Sequence, residues 1–182
     1  PKMKRRGLSQ VVTTLILLVV AVLLAGVVAY YATNTTMTRT QTESVQFAKA
    51  HIWVNSTGAV AGFKLQNLGG RDILIDKFAV RGVKSDWLNI YVYRIPSGTS
   101  IDGDMNITSV DGLTGASVTI DGKVFNQSTA DIPLISGGEL LAYIKNPGNI
   151  QLDDIGSTVS MSVYTSNAQY ITEVNVKSGT TQ

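Results

Sequence analysis

Residues 1–32 read PKMKRRGLSQVVTTLILLVVAVLLAGVVAYYA. Four cations, Lys2, Lys4, Arg5 and Arg6, precede Gly7, and no further charge follows until Arg39. The 25 residues 8–32 are mostly Val, Leu, Ile and Ala, interrupted only by Ser9, Gln10, Thr13, Thr14, Gly26 and two tyrosines. A helix of about 20 apolar residues crosses the hydrocarbon core of a bilayer, so this run is long enough. A secretory signal has a shorter apolar body, roughly 7–15 residues, closed by a small-x-small cleavage site. Here the first Ala-x-Ala is Ala48-Lys49-Ala50, far past the run, which argues against removal behind the apolar segment. Lys and Arg stay on the cytoplasmic side, so everything after about residue 33 is expected outside.

Charge divides along the same line. The chain carries 15 Lys and Arg against 13 Asp and Glu. The basic head holds four of those cations, leaving 11 against 13, so the remainder is slightly acidic. No basic nucleic-acid-binding surface is visible there, and no nucleic-acid partner is expected. At 182 residues, the length beyond the apolar run suits one globular domain. The absence of cysteine excludes disulfides, thiolate zinc sites and thiol catalysis. A small exterior domain without disulfides must be held by its own core or by its neighbours.

Residues 33–47, TNTTMTRTQTESVQF, are rich in threonine. Threonine is a mediocre helix former, yet an existing helix propagates more easily than a new one starts. The expectation is one helix over 8–45, bent near Thr33 to Thr36, with an unstructured tether over 33–45 as the alternative. From Gln46 the period becomes two: Ala48, Ala50, Ile52 and Val54 alternate with Phe47, Lys49, His51 and Trp53, and Val159, Met161 and Val163 alternate with polar neighbours. Such alternation predicts strands with one buried face. Less regular runs cover 59–66, 72–81, 88–95, 117–120, 139–145 and 169–177, separated by the turn formers NSTG, NLGGRD, PSGTS and NPGN. Apolar-Asp-Gly at Ile101, Val110 and Ile120 predicts successive short hairpins. Seven to nine strands without intervening helices predict an antiparallel sandwich or barrel behind the helix, an α+β chain.

A search for chemistry yields little. His51 is the only histidine, so no serine triad, histidine metal site or histidine pair assembles within one chain. Asp102, Asp104 and Asn106 have a calcium-loop spacing, but Ile107 stands where the helical calcium loop needs glycine and Leu113 where it needs glutamate. A solvated turn is the simpler reading. Asp153 and Asp154 are adjacent and would face opposite sides of a strand, unlike a glycosidase pair. The glycines lack a phosphate-binding spacing. No catalytic, cofactor-binding or metal-ligating residues are therefore expected. Four Asn-x-Ser/Thr acceptors, Asn34, Asn55, Asn106 and Asn126, lie beyond the apolar run as candidates for N-glycosylation.

KRRG, then LSQVVTTLILLVVAVLLAGVVAYYA, then an all-β region: this combination resembles the archaeal type IV pilin superfamily, which includes adhesion pilins and archaellins. GFKLQNLGGRDILIDKFAVRG (62–82), ISGGELLAYIK (135–145) and GSTVSMSVYT (156–165) are similar to its immunoglobulin-like heads. Bacterial pilins carry glutamate five residues after cleavage; Val12 stands there, which separates this chain from the bacterial branch. The resemblance implies a leader over 1–7, cut by a prepilin peptidase between Gly7 and Leu8, a helix over 8–45 and an extracellular β-sandwich over 46–182. It also implies that Leu8, Val12, Leu15, Leu18, Val19, Val22, Leu23, Gly26, Val27 and Tyr30 lie in the membrane first and in a filament core afterwards. The implied partners are further copies in a helical homopolymer, the peptidase and assembly machinery in the membrane, and whatever surface or cell the filament touches. The implied function is adhesion by an extracellular filament, not enzymatic catalysis. An archaellin of a motility filament, or a single-pass anchored β-domain binding a cell-envelope partner, stands as the alternative.

Overall fold

The computed structural model describes residues 2–40 and 42–180, with side chains for 6–35 and 42–180. Pro1 and the side chains of Lys2, Lys4, Arg5 and Thr36 lie outside the described residues. The chain divides into two compact units, Pro1–Thr42 and Glu43–Gln182.

The first unit is a single helix, α1 (Lys2–Thr40), 39 residues long. It starts inside the basic head, passes through Gly7 and Gly26, and keeps its hydrogen-bonding pattern through the threonine-rich segment. Propagation from the apolar helix outweighs the modest helix propensity of those threonines. The helix stops short of the expected residue 45 because sheet pairing claims the chain: Ser44 O accepts from Leu68 N at 2.9 Å and from Gly69 N at 3.1 Å, and Val45 pairs with Asn67.

The second unit contains eleven strands among the described residues: β1 (Val45–Asn55), β2 (Gly58–Asn67), β3 (Ile73–Val80), β4 (Val83–Lys84), β5 (Ile90–Arg94), β6 (Ser117–Ile120), β7 (Lys123–Gln127), β8 (Ile132–Leu134), β9 (Glu139–Lys145), β10 (Thr158–Thr165) and β11 (Gln169–Ser178). Their hydrogen-bonded order is β4-β3-β10-β11-β1-β2-β9-β5-β7-β6, with β8 beside β3. Neighbours are antiparallel except β1 and β11, which run parallel over Ile52–Val54 and Val176–Ser178. Strand β11 pairs with β10 through Asn175 and then passes to β1.

At that join the ladder folds over on itself. Phe63 of β2 and Phe78 of β3 lie 5.3 Å apart, although three strands intervene between them in the hydrogen-bonded order. Around them Ile52, Leu65, Ile75, Ile90, Leu140, Met161 and Val163 form one buried cluster. A second cluster, Trp53, Tyr91, Phe125, Leu141 and Tyr143, lies on the opposite face of β1, β2, β9 and β5, and Ile95, Met105, Val110 and Leu113 from the long 95–116 connection cover it.

The central strands are thus buried on both faces, which corrects the expectation of one buried face. In β9 all five residues from Leu140 to Ile144 are buried: Leu140, Ala142 and Ile144 face the first cluster, Leu141 and Tyr143 the second. Two-sided burial erases the apolar-polar alternation. In β1 the alternation also changes phase. The register with β2 shifts between Ala48 and His51, and Lys49 there has φ +52°. The extra residue is a β-bulge, so Val45 and Phe47 before it and Ala50, Ile52 and Val54 after it all meet the same core.

Three strands escaped the periodicity reading: β4 and β8 are only two and three residues long, and β7 buries a single residue, Phe125, with no apolar-polar alternation in its sequence. The repeated Asp-Gly signal makes a hairpin at one of its three positions. Asp121 and Gly122 both take left-handed φ, +51° and +71°, as a two-residue hairpin turn requires, and join β6 to β7. The other two signals belong to the 95–116 connection, where Val110–Gly112 is a 3₁₀ turn and Met105, Val110 and Leu113 plug the second cluster.

Gly62 is the position where backbone shape and packing meet. A Cβ there would stand 2.9 Å from both Trp53 Cζ3 and Tyr143 Cε1. Overpacking of this kind costs about 1–3 kcal/mol. A Gly62→Ala chain should unfold at lower denaturant concentration by that amount, with an altered near-UV circular dichroism signal from Trp53; an unchanged midpoint would show that the two rings move aside freely.

Candidate functional site

The most distinctive surface is α1 itself. Arg6–Thr35 is a 30-residue stretch long and apolar enough to cross a membrane, and none of its apolar window is buried within the chain. From Leu15 to Ala25 no side chain is polar. Since each residue turns the helix by about 100°, eleven such residues in a row present hydrocarbon in every direction. A helix apolar all round belongs in lipid or among other helices rather than at a water interface. Residues 8–32 extend about 37 Å at 1.5 Å per residue, more than the roughly 30 Å hydrocarbon core.

Three threonine hydroxyls along the helix are answered locally. Thr13 donates to Ser9 O at 2.8 Å, Thr14 to Gln10 O at 2.9 Å, and Thr33 to Ala29 O at 2.8 Å. These hydroxyls need no water, which removes most of the cost of burying them. Leu8, Val12, Leu15, Leu18, Val19, Val22, Leu23, Val27 and Tyr30 are all exposed on this helix. Gly7 and Gly26 have open space where a Cβ would stand.

The first turn contains no acidic residue. Four cations there oppose the positive end of the helix dipole, and Gly7 adds about 1 kcal/mol of helix-breaking tendency. By sequence, both effects weaken the start of α1.

In the head, the calcium-like segment is an irregular loop that bends at Gly103 and buries Met105. Lys49, raised by its bulge, donates from Nζ to Ile101 O and Gly103 O at 2.5 Å each; its ammonium occupies the carbonyls of the loop. His51, stacked on Trp53 with centroids 5.4 Å apart, lies with Nε2 2.7 Å from Asp104 Oδ1. Burial works against ionisation of Asp104, but the His51 bond, the Met105 N–H and Lys49 outweigh it and hold its carboxyl below the usual carboxylate range. Burial also pushes the Tyr143 phenol, which donates to Asn106 O at 2.8 Å, up to about 12. Among the described residues no group of three His, Cys, Asp or Glu is placed to hold a metal ion.

Because Asp104 is depressed in the fold, its contribution to stability is complete above its unfolded pKa, near 3.9, and fades as pH falls through the lower folded value. Asp104→Asn should therefore lower stability at neutral pH and flatten the acid limb of the pH–stability curve below about pH 4. Denaturant midpoints measured across that range check this; an acid limb identical to that of the parent would refute it.

Asp153 and Asp154 lie in a 3₁₀ turn, Leu152–Asp154, rather than on a strand. Asp154 accepts from Arg81 Nη2 at 2.5 Å and from Gln151 N at 2.9 Å, while Asp153 points into solvent. Asn34, Asn106 and Asn126 are exposed. Asn55 is half-buried, and its Oδ1 accepts from Thr57 Oγ1 at 2.6 Å, the hydroxyl of its own sequon.

Two arrangements have no signal in the sequence. Lys64, nearly buried, pairs with Glu139 at 3.1 Å, and Gln66 Nε2 donates to the same carboxylate at 2.7 Å. Glu43 accepts from the hydroxyls of Thr165 and Tyr170 and the amide of Asn167, fastening the first residue of the head to the β10–β11 turn. Each joins residues more than 70 positions apart, a separation no local pattern encodes.

No protein-family model matches the chain, and no curated protein matches it either.

Proposed function

We propose that this chain is the structural subunit of an archaeal type IV pilus-like extracellular filament, polymerising through α1 and serving surface adhesion. One observation carries the reading: a 30-residue helix with apolar side chains on every face and none of that surface covered within the chain. A helix apolar all round suits lipid before assembly and neighbouring helices after it. Gly26, beside Ala25, allows close helix approach. The head supports the same reading, since its two apolar clusters provide a core without cysteine, and a mostly antiparallel, many-stranded sheet follows the apolar helix, the α+β order that the resemblance implies.

In this account α1 waits in the membrane with the cations at the cytoplasmic face. Fraying of the weak first turns presents the Gly7–Leu8 bond to a prepilin peptidase, and removal of the four cations lets α1 enter an apolar bundle where unpaired charge is costly. Assembly machinery then moves the helix from lipid to its neighbours, and head-to-tail repetition of a contact that does not close yields an open polymer. An archaellin would share this plan.

The continuity of α1 from Lys2 through Gly7 favours a second reading, a single-pass anchor that keeps its head group and holds the β-domain against an envelope partner. Intact mass and N-terminal sequencing of protein sheared from cell surfaces separate the two. Fibres whose subunits begin at Leu8 are the expected result. A chain found only in membranes, with residues 1–7 attached, would overturn the filament reading.

A further inference from the structure

The head carries two apolar features at opposite ends. At the end where the chain enters, marked by the Val45–Asn67 pair, a cleft of about 470 Å³ is lined by Ile95, Pro96, Leu134 and Ile135, with Arg94 and Glu139 at its polar side. The Gly137 and Gly138 backbone ties this cleft to Asn67. At the other end, beside the Asn55–Gly58 turn, the Leu152–Asp154 turn projects Leu152 and Ile155 into solvent. Strand β1 runs from one end to the other, and eleven residues at about 3.3 Å each separate them by roughly 30 Å.

Their charges are complementary. Asp153, between the two projecting apolar residues, is exposed, and Arg94, which donates to Pro133 O at 2.5 Å, lies at the cleft beside Glu139, whose carboxylate is held by Lys64 and Gln66. Among the described residues neither forms an ion pair with an opposite charge. Asp154 is held by Arg81 and by Gln151 N, so the projecting turn is rigid and loses little freedom on docking.

We infer that the Leu152–Ile155 corner of one head seats in the Ile95–Ile135 cleft of a second copy of this chain, with Asp153 facing Arg94. Within a filament, two different surfaces that meet in this way make a heterologous contact that continues from copy to copy. The inference rests on the filament reading and adds to it a second, head-borne contact outside the helical core.

The chain has no native cysteine, which makes the contact directly testable. In the full chain, Ile135→Cys combined with Leu152→Cys places thiols on both partners of the contact. The two sites in one head are too far apart for a short bismaleimide to join. Fibres treated with it should give a ladder of dimers, trimers and higher multimers, at least tenfold stronger above the dimer than in either single variant. Thr99→Cys, on another wall of the cleft, replaces Ile135→Cys if that variant fails to fold. Fibres that form normally and give no ladder with either pair would overturn the head contact and leave the filament reading standing. If the parent chain gives no fibres, the filament reading fails, and the head contact with it. As a second readout, Arg94→Asp and Asp153→Arg should each reduce fibre yield alone and restore it together; reductions that simply add would count against the pairing.

Discussion

Val19→Asp is expected to weaken membrane insertion and to keep the chain out of any fibre. Val19 stands near the middle of the Arg6–Thr35 stretch, exposed on the helix and surrounded by Leu15, Ile16, Leu18, Val22 and Leu23. An aspartate at the centre of a spanning helix costs about 2.5–3.5 kcal/mol on the insertion scale, and the lost valine adds a few tenths. At about 1.4 kcal/mol per factor of ten, insertion falls on the order of a few hundred-fold. The short side chain cannot reach the interface as lysine does. In a packed bundle the penalty persists, because an unpaired buried charge has no compensating partner there. Fractionation of the expressed chain between membrane and soluble pools reads the first step, and electron microscopy of sheared material the second. Val19→Ala, which keeps the surface apolar, should resemble the parent in both. Normal insertion and normal fibres with the aspartate would mean that this face meets water, contrary to the apolar-all-round reading.

Phe63→Ala should destabilise the head more than any surface change. Phe63 is fully buried on β2, with Phe47 and Phe78 each 5.3 Å away, ring centroid to ring centroid, and it bridges the two parts of the ladder that fold together. Truncation of a buried phenylalanine costs about 3–5 kcal/mol, the sum of lost transfer energy and the cavity left behind. For a domain of this size that corresponds to a fall in Tm of about 10–20 °C. Without disulfides to restrain the unfolded chain, nothing else offsets the loss. Thermal unfolding followed by circular dichroism on the detergent-solubilised full chain measures it through the β signal. A fall of only a few degrees would mean that the cavity collapses and that the fold-over does not depend on this ring.

Different physics governs the two halves of the chain, and they were unequally legible. The helix is local: eleven uninterrupted apolar residues from Leu15 to Ala25 and a charged head are visible in order along the chain, and its hydrogen bonds close within four residues. The strands were legible where one face alternates, as in β10, and blurred where both faces are buried, as in β9. The phase change at Lys49 was invisible, because a bulge is declared by backbone dihedrals and not by composition. The role of Lys49 as the internal cation of the 101–103 loop was hidden for the same reason, although the Asp102–Asn106 spacing had already drawn attention to that segment.

Taken alone, the order of residues determined that an apolar, membrane-competent helix with a basic end precedes a cysteine-free β-rich head. Tertiary structure alone decided where α1 hands over to β1, which of the three Asp-Gly pairs turns a hairpin, and that β1 and β11 run side by side in parallel. It also decided that Glu43 is bound by Thr165, Asn167 and Tyr170, and that the 95–116 connection serves as the lid of a second core. Helix and turn preferences act over a few neighbouring residues, so they are written in short stretches. Strand partners and buried ion pairs are selected by the burial of whole faces, an energy that exists only once distant segments have come together.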